Sequence, residues 1–429
     1  MDNWLRRILI TAGTTLFLCP TAWAQSDFQG ATHLVPFHEE PIKYEEQKSH
    51  GPISRLQERI DRGELKLKWD TRFGYLPSLL KELGINPDSQ MLLFSKTSLQ
   101  RNFISPQTPR AVYYNDDAYI GWIPGAPVME VSEVDPILGG VFYDLPQVEE
   151  AKPRFNRNTQ CMSCHASAKT MGVPGHVVRS VGTDLGGEPD LQTAFSEVNH
   201  RVSLADRWAG WFVTGQHGDQ LHRGNLVGRE ALELQQVTPN YMGNRTNLIG
   251  ITDVSGYYRQ SSDIVALMVH DHQTHMHNFI TRLNYETRIM LSRYGHIRYL
   301  KNQSEAFLRY LLFTEETDLE DEIQGNTRYA EAFQKLGPFD SKGRSLRQLD
   351  LRHRMFKYPC SFLIYSASFD AIPKEMLDHI YQRLFDILTG KDESEAFEMV
   401  SERNKHAIFE ILLETKKGLP DYWRQSPKT

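Results

Sequence analysis

The chain of 429 residues is 40% hydrophobic and 24% charged, which is typical of a globular protein and excludes a disordered chain or a collagen-like fibre. Its four cysteines are too few for a disulfide scaffold. The net charge of −6 gives no basic field, so the composition does not favour a nucleic-acid-binding protein. The length fits two or three domains, or one elaborated domain.

Residues 1–24 have the pattern of a cleavable signal peptide. Arg6 and Arg7 give a positive start, and a mostly apolar run follows them. Ala22 and Ala24 are the small residues that a signal peptidase reads, so we expect cleavage after Ala24 and a periplasmic or secreted protein. An uncleaved N-terminal anchor is the alternative. The apolar run is too short for a stop-transfer helix, and we expect no transmembrane segment in the mature chain.

Residues 25–150 are predicted to form an extended lead-in, two helices and a β meander. Helical spacing covers Gly51–Gly63 and Leu76–Leu83. Short β-rich runs then alternate with turn residues, which favours antiparallel pairing. These runs are Met91–Phe94, Arg110–Tyr114, Ala118–Trp122, Val128–Val131 and Gly140–Tyr143.

The loop-rich region 151–260 contains the motif Cys161-Met-Ser-Cys164-His165, which is typical of covalent c-type haem attachment. Two thiols about one turn apart can each form a thioether with a vinyl group of one porphyrin. The histidine that follows is then the proximal ligand of the iron. A thioredoxin-like dithiol would need a βαβ context, and a zinc site would need a second ligand pair, and the sequence shows neither. We therefore expect one haem c, with Cys360 as a buried free thiol.

The distal ligand of the iron is less clear from the sequence. The candidates are Met242 and the histidines at positions 176, 200, 217, 222, 270, 272, 275 and 277. We favour His217, because it lies in a glycine-flanked loop after an aromatic segment, and keep His272, His222 and Met242 as alternatives. Arg179 and Arg207 are candidate partners for the haem propionates, since buried carboxylates need cations or hydrogen bonds.

The region 261–429 is predicted to be helical. One helix is expected over 263–292, capped by Asp263, and it carries four of the histidines. These histidines are interpreted either as core residues with satisfied hydrogen bonds or as ligands of a second metal. A third interpretation gives His272 or His277 a role in the haem pocket. Two further helices are expected over Pro373–Leu388 and Ser394–Lys417.

Several segments together resemble an uncharacterised family of exported bacterial monohaem c-type cytochrome-domain proteins. The resemblance covers about residues 70–390, and implies haem binding through Cys161, Cys164 and His165 with electron transfer. It implies no substrate and no distal ligand. The segments are 94–100, 109–117, 161–165, 172–175, 207–218, 263–269 and 357–361.

The sequence therefore predicts an α+β protein: a short antiparallel meander in the N-terminal half, a loop-rich haem-binding middle and a helical C-terminal half. The regions 25–150, 151–260 and 261–429 are separate units or parts of one continuous domain. We expect a periplasmic electron-transfer cytochrome, whose redox partner the sequence does not identify. The alternatives are a peroxidase-like haem oxidoreductase with an open distal site, and a haem-based sensor or binding module.

Overall fold

The computed structural model describes residues 35–238 and 241–425. The predicted signal peptide, residues 1–24, lies outside the described residues. The described part has the predicted α+β architecture, with an antiparallel sheet in the N-terminal half, a loop-rich middle and helices in the C-terminal half. None of its helices is long and apolar enough to cross a membrane.

The N-terminal half is built on two helices and a sheet of seven strands. The predicted helices are confirmed as α1 (Pro52–Asp61) and α2 (Leu76–Glu82). The five predicted β runs are also confirmed, and two short strands from the middle of the chain join them. The strands are β1 (Met91–Leu93), β2 (Arg110–Tyr114), β3 (Ala118–Trp122), β4 (Val128–Asp135), β5 (Gly139–Pro146), β6 (Asn156–Arg157) and β9 (Trp211–Phe212).

Every neighbouring pair in this sheet is antiparallel, in the order β6-β5-β4-β3-β2-β1-β9. Both faces are buried, because alternate residues of a strand enter different core clusters. Leu93 and Val112 join one cluster, whereas Leu92 and Ala111 join the other. A separate two-stranded sheet pairs β7 (Arg179–Val181) with β8 (Phe195–Glu197).

The long helix α5 (Ile264–Tyr294) confirms the predicted helix and contributes to both core clusters. It begins where the Asp263 carboxylate accepts hydrogen bonds from Val265 N and Ala266 N, and it ends at Gly295, whose φ of 68° is left-handed. The other helices are α3 (Met162–His165), α4 (Arg229–Val237), α6 (Lys301–Leu311), α7 (Tyr329–Lys335), α8 (Ala367–Asp370), α9 (Lys374–Leu388), α10 (Glu402–Thr415) and α11 (Tyr422–Gln425).

The single helix predicted over Ser394–Lys417 is wrong at its N-terminal end. A short 3-10 turn covers Glu395–Phe397, and α10 begins only at Glu402. The Ser401 side chain accepts a hydrogen bond from Asn404 N and caps the helix there. Phe397 and Val400 are buried before the helix starts, so their apolar spacing belongs to an irregular core segment.

Candidate haem-binding site

A cavity of about 600 Å³ lies between one face of the sheet, the Cys161–His165 segment and α5. This volume is within the range of about 300–1,000 Å³ found for small-molecule and cofactor sites. Cys161, Cys164 and His165 all line it, so the fold brings the three residues of the motif to one cavity.

The floor of the cavity is a row of side chains across three neighbouring strands. Tyr119 on β3 is opposite Ser132 on β4, and Ser132 is opposite Phe142 on β5. Residues opposite one another share a face of the sheet, so these three side chains point the same way. Two aromatic rings and a hydroxyl group thus form a largely apolar surface below the motif.

The two cysteines of the motif are unpaired thiols on a short helical turn. Asn158 Oδ1 accepts a hydrogen bond from Gln160 N and starts this turn immediately before Cys161. Cys161 is half-buried, and burial raises the pKa of its thiol to about 12, whereas Cys164 is exposed. The turn therefore presents both sulfur atoms at the wall of the same cavity.

His165 is oriented by a reciprocal pair of hydrogen bonds with Gly175. Gly175 N donates to His165 O at 2.8 Å, and His165 Nδ1 donates to Gly175 O at 2.9 Å. A carbonyl oxygen can only accept, so Nδ1 carries the proton and Nε2 keeps its lone pair. Burial lowers the pKa of His165 to about 4, which keeps the ring neutral. This is the tautomer and protonation state that a metal-binding imidazole requires.

The loop that holds His165 is itself attached to α5. Asn278 Oδ1 accepts from His176 N at 3.1 Å, and Asn278 Nδ2 donates to His176 O at 2.6 Å. A Cβ atom on residue 175 would overlap the Asn278 side chain, so glycine is required at this close approach. Through this contact the central helix fixes the carbonyl group that orients His165.

Two further histidines line the cavity. His176 Nε2 is 2.8 Å from Ser132 Oγ, and its ring stacks on Tyr119 with centroids 4.2 Å apart. His270, on α5, lies between the rings of Tyr114 and Tyr119, at centroid distances of 5.1 and 5.7 Å. Burial lowers the pKa of His270 to about 3, so this imidazole is neutral as well.

Of the two predicted propionate partners, the structure brings Arg179 to the cavity but not Arg207. Arg179 lines the cavity together with Arg110, whose guanidinium is 2.8 Å from Glu130. Arg207 is fully buried elsewhere, where its Nε donates to Val202 O and its Nη1 lies 3.6 Å from Asp271. The missed Arg110 is at the start of β2, and only strand pairing places it beside the motif.

The preferred distal candidate, His217, does not line this cavity, and neither do His222, His272 or Met242. His217 Nδ1 donates to Gln220 O, at 2.6 Å, within its own loop. The ring centroids of His217 and His222 are 4.6 Å apart. Met242 packs against a small separate cluster that contains Leu226 and Leu232.

The four histidines of α5 point to different surroundings, because this helix is buried on all sides. His272 Nδ1 is 2.9 Å from His200 Nδ1, and His272 Nε2 is 2.8 Å from Ser361 Oγ. His277 Nε2 donates to Asp116 O at 2.7 Å. Within residues 35–238 and 241–425 no group of three or more His, Cys, Asp or Glu side chains could hold a metal ion. The described residues therefore contain no ligand set for a second metal.

Comparisons with models of protein families, with curated proteins and with solved structures found no match to this chain. The assignment of the site consequently depends on its own residues. They fit a covalently attached haem: two thiols and a neutral imidazole with a free Nε2 lone pair face one cavity with a largely aromatic floor and with arginines in its wall.

Proposed function

We propose that this chain is an exported c-type cytochrome that carries one covalently attached haem and transfers electrons in the periplasm. The observation that supports the proposal most directly is the joint position of Cys161, Cys164 and His165 on one cavity, with His165 Nδ1 bonded to Gly175 O. A dithiol enzyme would not need the oriented imidazole, and a zinc site would need further ligands nearby.

Each part of the site has a role in holding the cofactor. Cys161 and Cys164 would form the two thioethers, and His165 Nε2 would bind the iron. Arg110 and Arg179 would offset the charge of the propionates. The bound haem supplies reversible one-electron chemistry at its iron. Tyr119 and Phe142 would shield one face of it from water, and the Gly175 contact would keep the proximal imidazole oriented.

The test is to express the full chain in a bacterial host that matures c-type cytochromes. We expect the purified protein to gain the mass of one haem, to give a c-type pyridine haemochrome spectrum and to titrate as a reversible one-electron couple. An N-terminus at Gln25 would support the predicted cleavage after Ala24.

The matched control uses the third cysteine of the mature chain. Cys161→Ser/Cys164→Ser should lose covalent haem, whereas Cys360→Ser, which changes a buried thiol outside the cavity, should retain it. A folded, colourless wild-type protein of unmodified mass, or stoichiometric zinc in place of haem, would overturn the proposal.

A further inference from the structure

The imidazole of His270 is buried at the cavity and has no hydrogen-bond partner among the described residues. The residue is 6% exposed, and its Nδ1 has no hydrogen-bond partner among the described residues. A buried polar group without a hydrogen-bond partner is destabilising. The other two cavity histidines each have one ring nitrogen bonded: His165 Nδ1 to Gly175 O, and His176 Nε2 to Ser132 Oγ, although His176 Nδ1 is unpaired as well. His270 lines the cavity, and no described residue forms a hydrogen bond with its ring, so its imidazole is available to a group bound there.

The position of His270 along α5 places it away from the anchor of His165. Asn278, Thr274 and His270 are four residues apart and therefore share one face of the helix. At 1.5 Å per residue, His270 is about 12 Å along the axis from Asn278. Asn278 contacts the Gly175–His176 segment, which anchors the Nδ1 edge of His165. The two histidines therefore reach the cavity from positions that are separated along the helix axis, as two imidazoles on opposite sides of one metal would need.

His176 is a poorer candidate for the face opposite His165. It directly follows Gly175, whose carbonyl oxygen is bonded to His165 Nδ1, the nitrogen that faces away from a metal bound at Nε2. The backbone of His176 therefore lies behind the proximal ring. Its own Nε2 is in addition bonded to Ser132 Oγ.

Neither a methionine nor an unpaired lysine is available at the described cavity wall. No methionine is found among the described residues that line it. Lys96 reaches the wall, but its Nζ is 3.1 Å from Glu188 Oε1. Three aromatic rings restrict His270 instead: Tyr114, Tyr119 and Trp211 surround it, the last at a centroid distance of 6.5 Å.

We propose that His270 is the second axial ligand of the haem iron, so that the protein is a bis-histidine, six-coordinate cytochrome. This inference depends on the proposed function, because it needs haem attached at Cys161 and Cys164. A six-coordinate iron would leave no position open for a substrate, which is consistent with an electron carrier.

The test compares ferric wild-type protein with His270→Ala and His217→Ala by electron paramagnetic resonance and visible spectroscopy. We expect the wild type to be low-spin. His270→Ala should become high-spin or bind water or cyanide, and added imidazole should restore the low-spin signal. His217→Ala removes a histidine outside the cavity and should keep the wild-type spectrum.

A second variant keeps the inference testable if the His270→Ala protein does not fold. His270→Met keeps a ligand and should raise the midpoint potential, because methionine ligation raises the potential relative to histidine. A high-spin wild type, a low-spin His270→Ala protein without added imidazole, or a His270→Met protein with the wild-type spectrum and midpoint potential would overturn the inference. Pyridine haemochrome assays on the same samples distinguish the two failures. Missing haem would contradict the proposed function, whereas attached haem with an unaffected iron would contradict only the role of His270.

Discussion

A single carbonyl group determines which nitrogen of His165 faces the cavity. Gly175 O accepts a hydrogen bond from His165 Nδ1, and Asn278 holds the peptide group that follows Gly175 in place. Such outer contacts usually tune the basicity of a metal-binding histidine. The sequence alone does not reveal the contact between Gly175 and Asn278, because Asn278 is about a hundred residues further along the chain.

Glu316 is a buried acid whose protonation should affect stability. Its side chain is 6% exposed, Oε1 accepts from Met355 N at 2.7 Å, and Arg354 Nε lies 3.7 Å from Oε2. Burial outweighs these contacts and the charge of Arg207, and raises the pKa of Glu316 to about 7. Between the unfolded pKa, about 4.3, and this value, the folded protein holds a proton that the unfolded chain has lost. Stability must therefore fall as the pH rises through this window.

We predict that Glu316→Gln removes this pH dependence. The free energy of unfolding of the variant minus that of the wild type should be larger at pH 8 than at pH 4.5, by up to about 3 kcal/mol. Urea unfolding at both pH values measures the difference. Glu315→Gln is the matched control, because Glu315 is partly exposed and paired with Arg201. Parallel pH profiles for the wild type and Glu316→Gln would contradict the prediction.

At the scale of secondary structure, α1 is capped by a residue from the sheet. Its N-cap is Gly51, which has no side chain to offer. Glu133 on β4 takes this role instead: its Oε2 accepts from Ile53 N at 2.6 Å and Ser54 N at 3.2 Å. A Cβ on residue 51 would overlap the Glu133 carboxylate. The glycine at the helix start thus makes room for a cap about eighty residues away.

We predict that Glu133→Ala lowers the free energy of unfolding by about 3 kcal/mol, since it leaves buried backbone donors and the Tyr143 hydroxyl without their charged acceptor. Chemical denaturation measures the loss, and hydrogen exchange at Ile53 and Ser54 should accelerate. Glu64→Ala, which removes an exposed acid paired with Arg62, should change stability by less than about 1 kcal/mol. Equal effects of the two substitutions would exclude the capping role.

The secondary structure was largely predictable because local signals suffice for it. The Asp263 cap and the β runs were placed correctly, and the error at Ser394–Lys417 arose where core burial imitates helical spacing. The choice among the histidines was not predictable in this way. On a helix that is buried all round, periodicity cannot tell which face meets a cavity, so His270 could not be separated from its three neighbours.

At the scale of the whole molecule, the sheet separates two core clusters, and the cavity opens on the face that also packs against the C-terminal helices. Two apolar side chains of the cavity wall are exposed: Leu99 at 60% and Leu191 at 63%. Both side chains line the cavity wall, so a group bound in the cavity would contact them. Under the proposed function, attached haem would cover them, which links cofactor attachment to global stability.

This link predicts a variant whose effect depends on haem. Leu191→Asn should lower the free energy of unfolding of the haem-bound protein by about 1–2 kcal/mol, because apolar burial against the cofactor is lost. The same substitution in the haem-free Cys161→Ser/Cys164→Ser background should have almost no effect, since Leu191 is already exposed there. Leu185→Asn, at a residue that is 76% exposed and outside the cavity, is the control and should be silent in both backgrounds. Denaturant midpoints of the haem-bound and haem-free forms give the comparison. Equal losses in the two backgrounds would mean that Leu191 contacts only protein and that the attached haem does not cover it.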